Sequence, residues 1–138
     1  MKNYICRIAA IEWEDYAAYG AVIESDSKRT HQLVEVKKDE TVKRMELYAL
    51  IACLKATPIN HIVTILSPST YIINPFNNNW IQKWQKDGIG ERPNGDLWIE
   101  IVDLIKNRDV QWFKGKTVSV AEAKDLAQKA ARRGNLSV

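Results

Sequence analysis

Histidine and cysteine are scarce in this chain of 138 residues, which contains only two of each. Cys6 and Cys53 lie far apart in apolar segments and match no spacing of a metal or redox site, so we expect two buried free thiols in a reducing compartment. His31 and His61 fall at the starts of predicted strands, where surface or structural roles are expected. No Ser/His/Asp or Cys/His set is recognisable, so nothing in the sequence supports nucleophilic catalysis.

Long apolar runs are also missing. No segment approaches the roughly 20 apolar residues that a membrane helix requires, and charged residues closely follow Met1-Lys2-Asn3. We therefore expect no signal peptide, no membrane partner and a cytoplasmic protein. The length fits one domain, expected to span residues 1–138, because no repeat, linker or low-complexity stretch divides the sequence.

Charge is modest overall but unevenly distributed. The chain has 20 basic and 17 acidic side chains and a net charge of +3. Residues 1–27 sum to −3, whereas residues 114–138 sum to +4. This basic C-terminal segment has two interpretations: an electrostatic footprint for phosphate groups, or the solvated face of a helix.

The hydrophobic pattern predicts one mixed α/β domain that begins with an antiparallel meander. Apolar runs predict strands at 4–10, 19–23, 31–36, 61–66 and 109–113, with turns at 12–15 and 26–28. Helical periodicity predicts helices at 42–56, 79–87 and 96–107. Ser67-Pro68 is suited to beginning a helix, and Asn77-Asn78-Asn79 after Pro75-Phe76 is predicted to be a turn before a capped helix. Ser119-Val120-Ala121-Glu122 predicts a capping box for a last helix that ends near Arg133.

Seven segments follow one another in an order that a known family shares. They are Tyr19-Gly20-Ala21-Val22-Ile23, residues 41–47, Pro68-Ser69-Thr70-Tyr71-Ile72, Trp80-Ile81-Gln82-Lys83-Trp84, Asp96-Leu97-Trp98, Trp112-Phe113-Lys114-Gly115-Lys116 and Leu126-Ala127. Through these segments the chain resembles bacterial type 1 ribonuclease H over nearly its whole length. The resemblance implies a ribonuclease H-like α/β fold, in which three antiparallel strands and then two parallel strands form a five-stranded mixed sheet flanked by helices.

The resemblance also implies where catalytic groups would fall. The family cleaves the RNA strand of RNA/DNA hybrids with two Mg²⁺ ions, which need hard, anionic oxygen ligands from four carboxylates. Glu46 matches the catalytic glutamate. The other three positions are occupied by Ala9 or Ala10, by Pro68 and by Lys124.

Two nearby acids are the only candidates to replace the missing carboxylates. Glu12 is two residues along the strand from Ala10, about 6–7 Å away. Asp125 is turned by roughly 100° from Lys124 on a helix. We therefore expect no metal cofactor, and Mg or Mn only if such displaced carboxylates rebuild the site. Glu46 would otherwise be an ordinary, partly exposed residue near a helix start.

Nine residues are candidate nucleic-acid contacts under the resemblance. Val42 and Lys43 replace two asparagines that touch the minor groove in the family, so sensing of the RNA 2′-hydroxyl is in question. Trp80 and Trp84 lie four apart on one helix and either pack between helices or stack on the substrate. Lysines around the former metal pocket, including Lys116 at the family's histidine position, would make a phosphate-binding patch. The nine are Lys43, Arg44, Trp80, Lys83, Trp84, Lys86, Lys114, Lys116 and Lys124.

Three functional hypotheses remain open from the sequence. The favoured one is a catalytically inactive ribonuclease H-like protein that binds nucleic acid, as RNA/DNA hybrid or duplex. The second is an active, metal-dependent ribonuclease H with displaced carboxylates. The third is a protein-interaction module, with a partner surface around Trp13, Tyr16 and Tyr19.

Overall fold

Three strands precede the first helix in the computed structural model, which describes residues 2–26 and 30–136. The strands are β1 (Asn3–Trp13), β2 (Tyr16–Ser25), β3 (Thr30–Lys38), β4 (Ile62–Ser67) and β5 (Asp109–Lys114). The helices are α1 (Val42–Ala56), α2 (Thr70–Asn77), α3 (Trp80–Asp87), α4 (Gly95–Ile105) and α5 (Ala121–Leu136), with 3-10 turns at Ile89–Glu91 and Thr117–Val120. Within the described ranges, no helix is both long and apolar enough to cross a membrane.

The strands form one mixed sheet in the order β3-β2-β1-β4-β5. β1 and β3 run antiparallel to β2, whereas β4 runs parallel to β1, and β5 runs parallel to β4. Parallel neighbours need crossover connections, which α1 and the α2–α4 segment provide. The predicted fold class is therefore confirmed.

The main core fills the space between one face of the sheet and helices α1 and α4. It contains Ile8 on β1, Leu50 on α1, Ile65 on β4 and Trp98 on α4, all essentially inaccessible to solvent. α1 runs from Val42 to Ala56 as predicted, because its apolar residues recur at helical spacing and Thr41 accepts a hydrogen bond from the Arg44 amide at its N-terminus. This face of the sheet thus anchors the helix that carries Glu46.

Two cysteines belong to the same core. Cys6 and Cys53 are both buried and free, as predicted. Hydrogen bonding to Cys6, together with burial, raises the pKa of the Cys53 thiol well above its ordinary value. The fold therefore brings together two residues that are distant in sequence.

The opposite face of the sheet is covered by α5, which packs across β1, β2 and β3 through small side chains. Ala18 on β2 meets Ala127 and Ala131 on the helix. At Gly20, an added Cβ would overlap the main-chain carbonyl of Ala123. The absent side chain of Gly20 therefore sets how closely α5 approaches the sheet.

The β1–β2 hairpin is tighter than predicted. The expected turn at 12–15 is wrong in extent: β1 continues to Trp13, and β2 begins at Tyr16, which pairs with Trp13. Glu14 and Asp15 make the connection, and Glu14 has a positive φ of 53°. In the turn predicted at 26–28, residues 27 and 28 lie outside the described part of the chain.

The helix after β4 also differs from the expectation. Ser67 still pairs in the sheet, opposite Lys114, so α2 begins at Thr70 rather than at the predicted Ser67-Pro68. Pro75 lies inside α2, which ends at Asn77, so the turn predicted at 77–79 is confined to Asn78 and Asn79. Burial of this helix against the core, including Ile72, outweighs the poor helical propensity of proline.

The two predicted caps are not found as expected. Asn79 precedes α3 in a left-handed conformation, with φ 58°, and makes no side-chain capping hydrogen bond. Ser119 lies inside the 3-10 turn, where its hydroxyl donates to the carbonyl of Lys116, and α5 begins only at Ala121. The 3-10 turn therefore occupies the place of the predicted capping box.

Candidate functional site

A cleft of about 440 Å³ opens where the later half of β1 meets the loop after β4. This volume lies in the usual range for ligand pockets, about 300–1,000 Å³. Its floor is largely apolar, and α1, α2 and α5 form its walls. The lining residues are Ile8, Ala9, Ala10, Ile11, Lys43, Glu46, Ala49, Ser67, Pro68, Ser69, Thr70, Tyr71, Thr117, Val120 and Lys124.

The cleft brings together the four positions that the sequence marked as catalytic in the family. Glu46 comes from α1, Ala10 from β1, Pro68 from the loop after β4, and Lys124 from α5. Each lies on a different element, so only the tertiary fold makes them neighbours. The cleft lining therefore holds one carboxylate, that of Glu46, where the family has four.

The Glu46 carboxyl is mostly withdrawn from solvent. Its Oε2 atom is buried without a hydrogen-bond partner. Burial raises the pKa of Glu46 above its ordinary value of 4.5, while a hydrogen bond with Ser69 and the charge of Lys43 oppose the rise. Because the burial effect is the largest, the neutral acid is favoured more than in an exposed glutamate.

Replacing Glu46 with glutamine is expected to increase the free energy of unfolding at pH 7. A carboxyl whose pKa is raised by folding stabilises the native state only at low pH, and that contribution is lost as the pH rises above 4.5. The stability gained by Glu46→Gln should therefore shrink as the pH falls from 7 towards 4.5, because the native carboxyl becomes protonated over that range. Urea unfolding at pH 7 and pH 4 measures this, with Glu12→Gln as the control at an exposed position. A loss of stability at pH 7 would contradict the assignment.

The donor set of the cleft does not fit two divalent cations. Within residues 2–26 and 30–136, no group of three or more His, Cys, Asp or Glu side chains is placed to hold a metal ion. Glu12 is exposed and absent from the cleft lining. Asp125 is also exposed and pairs with Lys129 at 3.0 Å. Neither acid compensates for the missing carboxylates, and two lysines add positive charge where cations would have to sit.

The predicted lysines divide into cleft and rim positions. Lys43 and Lys124 line the cleft, and the ammonium of Lys43 lies 5.1 Å from the ring centroid of Tyr71. Lys114 ends β5 and Lys116 lies on the connection to α5; both are exposed, and Lys116 directly precedes the cleft residue Thr117. The basic C-terminal segment therefore contributes both inside and beside the cleft.

The helix α3 presents one exposed and one packed tryptophan. Trp80 is 44% exposed, and Lys83 and Lys86 on the same helix are also exposed. Trp84 instead packs edge-on against Trp98, with ring centroids 5.3 Å apart. The two alternatives predicted for this pair thus apply to different residues. Trp84 packs between helices, whereas the ring of Trp80 is accessible for stacking.

Arg44 has a structural environment that the sequence did not reveal. Its guanidinium donates to both carboxylate oxygens of Asp96, at 2.9 and 3.1 Å, and also to Asn94 and Tyr48. This bond network ties α1 to α4 and lowers the pKa of Asp96. We therefore leave Arg44 out of the interface proposed below.

Two further cleft and surface residues were not found from the sequence. Tyr71 lines the cleft and accepts hydrogen bonds from Asn94 at 2.9 Å and from the Trp98 indole at 3.3 Å. Arg92 lies over the ring of Trp84, with its guanidinium carbon 3.8 Å from the centroid. No local pattern marks either residue, because each contact depends on segments that are distant in sequence.

The sheet order and the cleft define a ribonuclease H-like protein. The RNase H family profile matches residues 9–134, and the chain belongs to the RNase H family. It is 37% identical over 100 residues to a ribonuclease H of Thermoanaerobacter sp. (strain X514), covering 69% of this chain and 64% of that protein. A ribonuclease H of Trichodesmium erythraeum is 30% identical over 127 residues, covering 86% and 80%. The chain thus spans just under two thirds of the length of the Thermoanaerobacter relative.

Solved structures show the same fold at low sequence identity. The N-terminal RNase H domain of a Mycobacterium tuberculosis protein, fused to maltose-binding protein, has a TM-score of 0.75 at 16% identity and covers 99% of both chains. LC11-RNase H1 in complex with an RNA/DNA hybrid has a TM-score of 0.74 at 16% identity, covering 97% of this chain and 99% of that one. These likenesses establish the fold. The chemistry of this chain has to be inferred from the residues of its own cleft.

Proposed function

We propose that this chain is an RNase H-family protein that binds RNA/DNA hybrid or duplex nucleic acid without cleaving it. The observation that carries the proposal is the cleft composition, where Lys43 and Lys124 accompany a single carboxylate, Glu46. Ammonium groups attract phosphate but cannot hold metal ions. The relative LC11-RNase H1, which has the same fold, forms a complex with an RNA/DNA hybrid.

The proposed interface extends from the cleft to α3. Lys116 directly precedes the cleft residue Thr117, and Lys114 is exposed at the end of β5. Lys83 and Lys86 are exposed on α3 with Trp80. Lysines neutralise backbone phosphates, and an exposed aromatic ring offers a stacking surface. The two free, buried thiols accord with the reducing, cytoplasmic location that we propose for this activity.

An active ribonuclease H is the second candidate function. It is favoured by the 37% identity to a protein named ribonuclease H and by the presence of Glu46 in the cleft. The decisive experiment incubates end-labelled RNA/DNA hybrid with excess protein in Mg²⁺ or Mn²⁺, beside Glu46→Gln. We expect no cleavage by either protein and retention of the hybrid on a native gel. Cleavage that disappears in Glu46→Gln would establish the active enzyme instead.

A protein-interaction module has less support. Tyr16 and Tyr19, predicted at a partner surface, are buried, so that part of the prediction is wrong. Both side chains are inaccessible because β2 is covered by helices on its two faces. Trp13 is 39% exposed, and the guanidinium carbon of Arg132 lies 4.9 Å from its ring centroid.

Neutralising Lys83 and Lys86 is expected to weaken duplex binding and reduce its dependence on salt. For B-DNA, each lost phosphate contact lowers the slope of log affinity against log salt by about 0.9. Fluorescence anisotropy of labelled duplex over a salt series measures the slope for Lys83→Gln/Lys86→Gln. Lys106→Gln, which removes a lysine paired with Asp103 at 3.5 Å, is the control. An unchanged slope in the double variant would remove α3 from the interface.

A further inference from the structure

The cleft carries two lysines and a single carboxylate over a largely apolar floor. Its titratable lining residues are Lys43, Lys124, Glu46 and Tyr71. Among the described residues, no ion pair is formed by Lys43 or Lys124, whereas Lys129, one helical turn beyond Lys124, pairs with Asp125. A low-dielectric floor strengthens the attraction between these lysines and an anion.

The fold holds both lysines at fixed places. Lys43 lies in the first turn of α1, and its ammonium contacts the face of Tyr71, whose hydroxyl is itself held by Asn94 and Trp98. Lys124 follows Ala123, whose main-chain carbonyl lies so close to Gly20 that no Cβ would fit between them. The two side chains therefore enter the cleft from different helices, α1 and α5. The packing of both helices keeps the lysine main chains in place.

We propose that this cleft is a binding site for a single phosphate group, held between the ammonium groups of Lys43 and Lys124 in place of metal ions. Thr70 and Thr117 line the same cleft, and their hydroxyls are able to donate further hydrogen bonds to phosphate oxygens. Binding at such a site is independent of metal. Added Mg²⁺ competes with the two lysines for the phosphate group and so weakens phosphate binding to the cleft.

The phosphate group could belong to either of two kinds of ligand, and both would make the same contacts in the cleft. One is a backbone phosphodiester, and in that case the inference rests on the proposed function. The other is a free mononucleotide or inorganic phosphate. The volume of about 440 Å³ admits a phosphate with part of its sugar.

The test measures binding of three probes by calorimetry in EDTA: an RNA/DNA hybrid, AMP and inorganic phosphate. Variants Lys43→Met and Lys124→Met each remove one cleft charge. Lys55→Met on α1, paired with Glu100 at 2.9 Å, and Lys129→Met on α5 make the same change outside the cleft. Circular dichroism melting of every variant separates a lost contact from a lost fold.

We expect each cleft variant to bind at least about tenfold more weakly than its matched control, as for loss of a hydrogen bond to a charged group. Binding of the hybrid but of neither small probe would assign the site to a phosphate of a nucleic-acid backbone. Binding of AMP or inorganic phosphate without binding of the hybrid would support the phosphate site but overturn the proposed function. Hybrid binding that is equal in cleft and control variants would overturn the site and leave the proposed function standing. Binding that requires Mg²⁺, or no binding of any probe, would also overturn the site.

Discussion

Replacing Trp98 with alanine is expected to lower the free energy of unfolding by about 3–5 kcal/mol, the usual range for a buried tryptophan. Its side chain is 1% exposed and contacts the rings of Tyr71, Phe76 and Trp84. Removing it leaves a cavity where α2, α3 and α4 meet. It also removes a hydrogen bond to the Tyr71 hydroxyl.

The Trp98 prediction has a matched control in Trp80. Trp80→Ala makes the same change at a position that is 44% exposed, so we expect it to cost about 1 kcal/mol or less. Urea denaturation followed by circular dichroism compares the two variants. Similar losses in both would mean that Trp98 does not join the helices as its contacts indicate.

Replacing Gly20 with alanine is the second change with a large expected effect. The new Cβ would overlap the main-chain carbonyl of Ala123, which cannot rotate away as a side chain could. Overpacking of this kind costs about 1–3 kcal/mol, and occasionally more. Because α5 must move outwards to accommodate the methyl group, Lys124 is displaced from the cleft, and phosphate binding should weaken as well.

Gly90→Ala separates the effect of crowding at Gly20 from the effect of adding a methyl group. An added Cβ at Gly90 meets only the terminal methyl of the Ile99 side chain, at 3.1 Å, which is able to rotate. We expect a small change in stability and none in phosphate affinity. A Gly20→Ala protein as stable as Gly90→Ala would show that α5 does not depend on the close approach at Gly20.

The fold class, and the four positions that are catalytic in the family, were predicted from the sequence through the resemblance. Motifs in a shared order place Glu46, Ala10, Pro68 and Lys124 relative to one another without requiring any contact to be known. α1 was predicted to its ends because its apolar residues recur at helical spacing, which is a local signal. The bounds of a helix are predictable when residues close together in the sequence determine where it begins and ends.

Contacts between distant segments were not predictable in this way. Arg44, a candidate for nucleic acid from its motif, is bound by Asp96, 52 residues further along the chain. Pro75 is a turn signal in any local pattern, yet burial of α2 against the core holds it in a helix. Both differences arise because packing free energy exceeds the local preference of one residue.

The sheet has two outer strands, β3 and β5, and this has a consequence for association between copies of the protein. Outer strands expose backbone groups that another chain is able to pair with, and lysine side chains discourage such pairing. β3 ends in Lys37 and Lys38, and β5 ends in Lys114, beside Phe113, which is 52% exposed. We therefore expect Lys114 to discourage pairing of the β5 edge with another copy of the protein. An apolar replacement of Lys114 should lower solubility, so weaker phosphate binding by that variant would not by itself place Lys114 in the interface.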